Sequence, residues 1–192
     1  MAEDPLILSD GTTRLRPATM TEMWPVFGWR NRPHVRTNMY TSQPIEPWEH
    51  QAWFRSVLDD PEREIWVISS DGRDIGTVVL SEIDPRAGSC SWAFYIGEND
   101  LTGRGIGSAV ERLVLAHVFD TLGLEVLRCE VLEFNLPVIG LHRKFGFRET
   151  GRIENRVMRD GQPVAAVCLE LDRKTWRETW LGNAPRTAGH TS

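Results

Sequence analysis

The feature that most constrains this chain is a run of three alternating glycines, Gly103, Gly105 and Gly107, between the apolar stretch Ser91-Trp92-Ala93-Phe94-Tyr95-Ile96 and a long amphipathic one. A strand that turns through glycines straight into a helix leaves open space above the backbone. It also aims consecutive N–H groups outward, with the positive end of the helix behind them. Such a turn is built to hold phosphate, and Arg104 sets a cation within it. The spacing excludes two common phosphate loops. A Walker loop needs Gly-Lys-Ser/Thr after four intervening residues, and a dinucleotide fingerprint needs Gly-x-Gly-x-x-Gly followed by an acidic strand end. Neither occurs in the sequence. An ordinary glycine-rich strand-to-helix turn is the plain alternative.

At 192 residues the chain suits one domain, with enough length to bury a core of helices on a sheet. Twenty-two basic residues against 27 acidic ones give a net charge of -5. That balance disfavours nonspecific nucleic-acid binding and points to a small-molecule or peptide substrate. Cys90, Cys129 and Cys168 are scattered in apolar runs without metal-ligand spacing, which predicts buried reduced thiols, a cytoplasmic protein and no metal. The opening Met-Ala-Glu-Asp-Pro lacks the pattern of an export signal, and no run approaches the roughly 18 apolar residues of a membrane span.

Periodicity orders the rest. Leu6-Ile7-Leu8 and residues 13–16 flank Asp10-Gly11 and predict a hairpin. Thr19 with Glu22 forms a capping box opening a helix to about Arg30, Pro33 interrupts it, and a short helical piece covers 34–39. Pro47 opens a second helix over 48–58. Three antiparallel strands follow over 65–68, 75–80 and 91–96, then a helix over 105–122, a strand over 126–133 and a helix over 135–145. Strands over 147–157 and 163–171 and a helix over 173–181 close a single domain of residues 1–181. Residues 182–192 read as a mobile tail.

Downstream of the glycines, the strand Arg128-Cys129-Glu130-Val131-Leu132-Glu133 is followed by a helix that opens at Asn135 and ends at Gly146-Phe147. Asn135, Ile139 and His142 share one helix face, and Pro137 is tolerated in the first turn, where no N–H bond is lost. Together, Gly103-Arg104-Gly105-Ile106-Gly107-Ser108 and the Asn135 to Phe147 segment resemble the two signature stretches of the GNAT superfamily of acetyl-CoA-dependent N-acetyltransferases. The resemblance covers residues 60 to 172. It implies an α+β fold, with a central, mostly antiparallel sheet of about seven strands and helices on both faces. A splayed parallel strand pair would hold CoA.

Residue by residue, the resemblance assigns the diphosphate to Thr102, Gly103, Arg104, Gly105, Ile106, Gly107 and Ser108, with Thr102 standing where the family has Arg or Gln. Asn135 would bond the pantetheine arm, and Lys144 would add to the cofactor contacts. A backbone N–H from Phe94, Tyr95 or Ile96 would polarise the acetyl carbonyl. His142 replaces the usual Tyr that protonates the departing thiolate, a role imidazole can also fill. A histidine without a role is the alternative. For the base, Glu130 and Glu133 are the nearest carboxylates, and their odd separation puts them on opposite faces of a regular strand. Glu130 is the preferred one, acting directly or through water, although either could simply form an ion pair.

The acceptor end carries Trp29-Arg30-Asn31-Arg32-Pro33, then Val35-Arg36-Thr37-Asn38-Met39-Tyr40, His50 and Trp53-Phe54. These pieces, with the strand through Cys129 and Glu130, resemble the branch that N-acetylates the 4-amino group of a UDP-amino-sugar in pseudaminic acid synthesis. On that reading Arg30, Asn31 and His50 meet the nucleotide-sugar, with Arg30 and His50 on its diphosphate. Met39, Tyr40 and Phe54 would offer flat surface to uracil and a deoxy-sugar. Aromatic residues at helical spacing suit a hydrophobic core equally well. Protein N-termini, of the ribosomal-protein type, are an alternative acceptor, as are polyamines and aminoglycosides, and a degenerate CoA-binding module is the non-enzyme alternative. The family also implies a homodimer.

Overall fold

Alternating side chains send the strands' apolar residues to two different layers, and this two-sided sheet organises the molecule. The structure, a computed structural model, describes residues 6–101 and 104–183. In chain order come β1 (Leu8–Ser9), β2 (Thr13–Pro17), α1 (Met23–Arg30), α2 (Pro33–Arg36), α3 (Pro47–Asp59), β3 (Glu64–Ser70), β4 (Arg73–Asp84) and β5 (Ser89–Ile96). Then follow α4 (Ile106–Ala116), β6 (Val126–Leu132), α5 (Leu136–Lys144), β7 (Arg148–Arg159), β8 (Gln162–Asp172) and α6 (Arg173–Asn183).

The strands form one sheet in the order β1-β2-β3-β4-β5-β6-β8-β7. Every neighbouring pair is antiparallel except β5 with β6. Eight strands stand where about seven were expected, with the first arm of the opening hairpin reduced to the two-residue β1 at the edge. On one face Trp66, Ile68, Val78, Leu80, Trp92, Leu127, Cys129 and Val131 pack with Ile106, Val110 and Val114 of α4, Ile139 of α5 and Trp176 of α6. The other face packs Ile65 and Val67 with Met23, Val26 and Trp29 of α1 and Phe54 and Val57 of α3. Period-two alternation therefore assigns odd and even residues of each central strand to opposite layers.

The helix starts follow their caps. Thr19 and Glu22 form the reciprocal capping box that the sequence predicts, and Glu46 with Glu49 forms a second one around Pro47. One helix departs from expectation. The segment predicted as a single helix to 122 is α-helical only to Ala116 and continues as a wider π turn over His117–Thr121, closed by the Leu122 N–H on the His117 carbonyl. That widening accompanies a buried His117 whose Nε2 lies 2.8 Å from Glu64 Oε2, which also accepts from Trp66 Nε1. Cys90 and Cys129 are buried thiols, and Cys168 is half-buried. The last helix runs to Asn183, and most of the predicted tail lies outside the described residues. Among the described residues no helix is long and apolar enough to cross a membrane, and no group of three His, Cys, Asp or Glu side chains is placed to hold a metal.

Candidate active site

Gly105 is the N-cap of α4, with φ at 77°, a left-handed conformation that favours glycine. A Cβ built there meets nothing within 4 Å, so the space above the turn is open. Among the described residues no side chain caps the helix, so its first N–H groups are available toward that space. Arg104 is exposed beside it, and Ile106 is anchored in the core. Gly107 serves packing: a Cβ there would lie 3.2 Å from Leu141 and 3.9 Å from Phe94, so its absence lets α4 approach α5 and β5. Ser108 is half-buried one residue on. Thr102 and Gly103 lie outside the described residues. An open glycine turn on an uncapped helix of 11 residues fits a diphosphate.

Beside this turn the sheet opens. β5 and β6 pair only through Ser89, Cys90 and Ser91 with Val126, Leu127 and Arg128. Beyond that point Trp92–Ile96 pairs with β4 alone and Cys129–Leu132 with β8 alone, so each strand turns an unpaired edge toward the other. Phe94, Tyr95 and Ile96 lie on this edge, and His34 Nε2 of α2 sits 3.3 Å from the Ile96 carbonyl at its mouth. Asn135 stands at the N-cap of α5 without using its side chain as a cap, and Lys144 is exposed at the other end of that helix.

His142 is 3% exposed, so it is not the exposed helical histidine that its position allowed. Its Nδ1 lies 2.9 Å from Glu111 Oε1 on α4, a residue with no exposed surface. Trp92 meets the ring edge-on at 5.4 Å, and Phe147 packs at 5.1 Å. Trp92 in turn stacks on Phe94. Burial raises the Glu111 carboxyl above the ordinary range, an effect that the hydrogen bond from His142 partly offsets.

Glu130 lies on the opposite face and meets Tyr40 and Arg156. Tyr40 Oη donates to Glu130 Oε2 at 2.5 Å, and Arg156 Nη2 pairs with the same oxygen at 3.2 Å. The Arg156 guanidinium also sits 4.3 Å above the Tyr40 ring. Burial first, then the bond to Glu130, pushes the Tyr40 phenol up to about 12. Around this pair four arginines hold residues 39–42. Arg159 donates to the Met39 and Tyr40 carbonyls, Arg30 to Thr41 at 3.0 Å and Arg36 to Ser42 at 2.9 Å, while Arg156 covers Tyr40. Carbonyls satisfy hydrogen bonds without cancelling charge. The wall therefore carries four guanidinium groups against the Glu130 carboxylate, in a chain whose overall balance is acidic.

Glu133 does different work. Its Oε1 accepts from the Ala165 N–H at 2.9 Å and it pairs with Arg152, next to the bulge where β7 slips against β8 between Ile153 and Val157. Three expected acceptor residues are also engaged elsewhere. Phe54 has no exposed surface and His50 only 1%, because both pack in the layer between α1 and the sheet or α3; His50 Nε2 donates to the Met23 carbonyl. Their rings face the core, which corrects the expectation that they meet a ligand. Asn31 staples the loop by a reciprocal pair of bonds to Ile45. Arg30 is half-buried, with Nη1 left without a partner among the described residues. Glu111, Trp92, His34, Arg156 and Arg159 were not singled out from the sequence. Only Glu111 carried a readable signal, an acid at i, i+3 and i+7 with the apolar Val114 and Val118.

Comparisons with known proteins agree with this geometry. The family model described as an acetyltransferase (GNAT) domain matches residues 13–148. The SPbeta prophage-derived uncharacterized N-acetyltransferase YokL of Bacillus subtilis (strain 168) is 24% identical over 122 residues, 64% of this chain and 68% of that protein. The spermidine N-acetyltransferase from Vibrio cholerae, solved in complex with CoA and spermine, superposes with a TM-score of 0.79 at 18% identity, covering 87% of this chain and 99% of that one. A domain from Methanocaldococcus jannaschii DSM 2661 gives a TM-score of 0.68 at 24% identity, over 88% of this chain and 99% of its own. Because the matched span runs from β2 into the start of β7, and so takes in both the glycine turn and the opened strand pair, the chain belongs to the GNAT acetyltransferase family.

Proposed function

We propose that this acetyltransferase moves an acetyl group from acetyl-CoA to a primary amine on an anionic acceptor, the 4-amino group of a UDP-amino-deoxy-sugar, by direct attack in a ternary complex. The observation that carries the acceptor class is the set of four arginines around residues 39–42. A polyamine would bring several positive charges to that wall, whereas a nucleotide diphosphate would be attracted to it. The Vibrio cholerae neighbour binds spermine, and sharing its fold does not carry its substrate across.

Acetyl-CoA supplies the activated acetyl group. The N–H groups of 104–108 with Arg104 hold its diphosphate, together with Thr102 and Gly103. Asn135 orients the pantetheine arm, Lys144 adds charge at the far end of α5, and the free edge at Phe94, Tyr95 and Ile96 offers an N–H to the thioester carbonyl. Glu130 holds the amine and takes up its proton, directly or through water, and His142 supplies a proton to the leaving sulfur. The Tyr40 ring offers a flat face beside Met39, and the arginines bind the acceptor's phosphates.

Incubation with acetyl-CoA and separately a UDP-4-amino-sugar, an N-terminal peptide, spermidine and an aminoglycoside, followed by free-thiol release, tests this reading. Turnover of the sugar nucleotide is expected. Turnover of spermidine or the peptide alone overturns the acceptor class, and no thiol with any amine leaves a CoA-binding module.

A further inference from the structure

We infer that Glu111 is a positioning residue for acetyl transfer, one that holds the His142 ring so that Nε2 carries the proton delivered to the donor's sulfur. This rests on the reading of His142 as proton donor. The geometry is specific. Glu111 projects from the apolar stripe of α4 between Val110 and Val114, fully buried, where an aliphatic residue would fit the layer. A carboxylate placed there costs desolvation that a single hydrogen bond offsets only in part. Its Oε1 meets His142 Nδ1 at 2.9 Å, and its Oε2 has no partner among the described residues. With Nδ1–H donated to the carboxylate, the tautomer is set, and Nε2 points to the other side of the ring.

Aromatic side chains pack against the imidazole. Trp92 and Phe147 hold the ring from two sides, and Trp92 stacks on Phe94 at the opened edge of β5. The titratable groups facing the pair are few. α4 contributes Glu111 itself, and β6 contributes Cys129, whose thiol burial keeps protonated and which feels the Glu111 charge. β5 and the end of α5 contribute aromatic rings. A carboxylate on Nδ1 keeps that hydrogen in place and offsets positive charge on the ring.

The proton account balances. As the acceptor nitrogen bonds to the acetyl carbon, the carbon–sulfur bond breaks and its electron pair stays on sulfur. The Nε2 proton moves to that sulfur, giving the thiol, while Nδ1–H remains on Glu111. The acceptor nitrogen gives its proton to Glu130 or water, and solvent reprotonates Nε2.

Nitrogen-15 NMR of the His142 ring in the ligand-free wild-type protein tests the arrangement without any variant. In the neutral ring Nδ1 is expected to be the hydrogen-bonded, protonated nitrogen and Nε2 the bare one. In Glu111→Leu that preference should be lost, with both neutral tautomers present. Its kcat is read as thiol release with whichever panel amine turns over. At pH 7.5 kcat should drop about tenfold, with calorimetric affinity for acetyl-CoA within about twofold of wild type. In a His142→Tyr background the same substitution should cost less than about twofold. A neutral ring protonated on Nε2, an unchanged tautomer in the variant, or an equal loss in the His142→Tyr background would overturn the proposal. Undiminished kcat in His142→Ala would remove the proton-donor reading, and this inference with it, while leaving acetyl transfer itself intact.

Discussion

Glu130 and His142 lie on opposite faces of the sheet. Glu130 points from β6 toward Tyr40 on the α1–α3 side, and His142 is buried among Trp92, Phe147 and Glu111 on the α4–α5 side. Between the two layers the β5–β6 pairing stops at Ser91 and Arg128. On the proposed reading, a thioester threaded through that opening would have one layer for its incoming amine and the other for its departing sulfur.

Separate layers should give separable kinetics. Arg156→Ala removes a guanidinium that contacts both the Tyr40 ring and Glu130. The acceptor KM is expected to rise about tenfold, the scale of one charge-assisted contact, with acetyl-CoA affinity changed by less than about twofold. Steady-state kinetics with each substrate varied, alongside calorimetry for the donor, checks this. A weakened donor with an unchanged acceptor would reverse the assignment of the two faces.

How much of this could be read from the sequence depends on whether local pattern or packing decided each residue. The turn at Gly105, the Asn135 helix and the succession of strands along the chain follow from periodicity and turn chemistry, and the structure reproduces them. Glu130 and Glu133 were separable in principle by strand alternation, and Glu133 indeed turns away to bond Ala165 at the bulge. Arg156 was not legible. It lies in the bulge around Asn155, whose positive φ releases that stretch from the regular alternation by which a side chain's face is predicted. His50 and Phe54 show the opposite difficulty. An aromatic stripe at helical spacing looks alike whether it faces ligand or core, and only the docking of α3 on α1 decides.

Acid sensitivity should trace to Glu98, which ties the end of β5 to α1 and α2. Its carboxylate accepts twice from Arg32 at 2.8 Å, from Trp29 Nε1 at 3.2 Å and from Arg73 at 2.6 Å. The Arg32 hydrogen bonds, before any other cause, hold it below the usual carboxylate range. A depressed folded-state value means that the stabilisation is fully present above the unfolded value and is lost as pH falls through the folded one. Glu98→Gln should therefore cost about 1–3 kcal/mol in urea unfolding at pH 7, with the gap to wild type closing below roughly pH 4. A gap that persists at low pH would mean that the charge is not the cause.

Gly97 stands at the same corner. A Cβ there would overlap the Trp29 side chain, closer than real Cβ atoms approach. Because Trp29 is packed in the α1–α3 layer and cannot swing aside freely, Gly97→Ala should destabilise the fold by about 1–3 kcal/mol. Thermal unfolding measures it, and an unchanged midpoint would show that the corner yields.

Donor binding is the claim on which the rest stands, and it is measured by calorimetric titration of acetyl-CoA into wild type and Gly105→Glu. That substitution forces a side chain into a left-handed φ of 77° and sets a carboxylate in the open space above the helix end. Saturable binding by wild type and none by the variant is the expected result. No heat with the wild-type protein, or equal affinity in the two, would contradict the account.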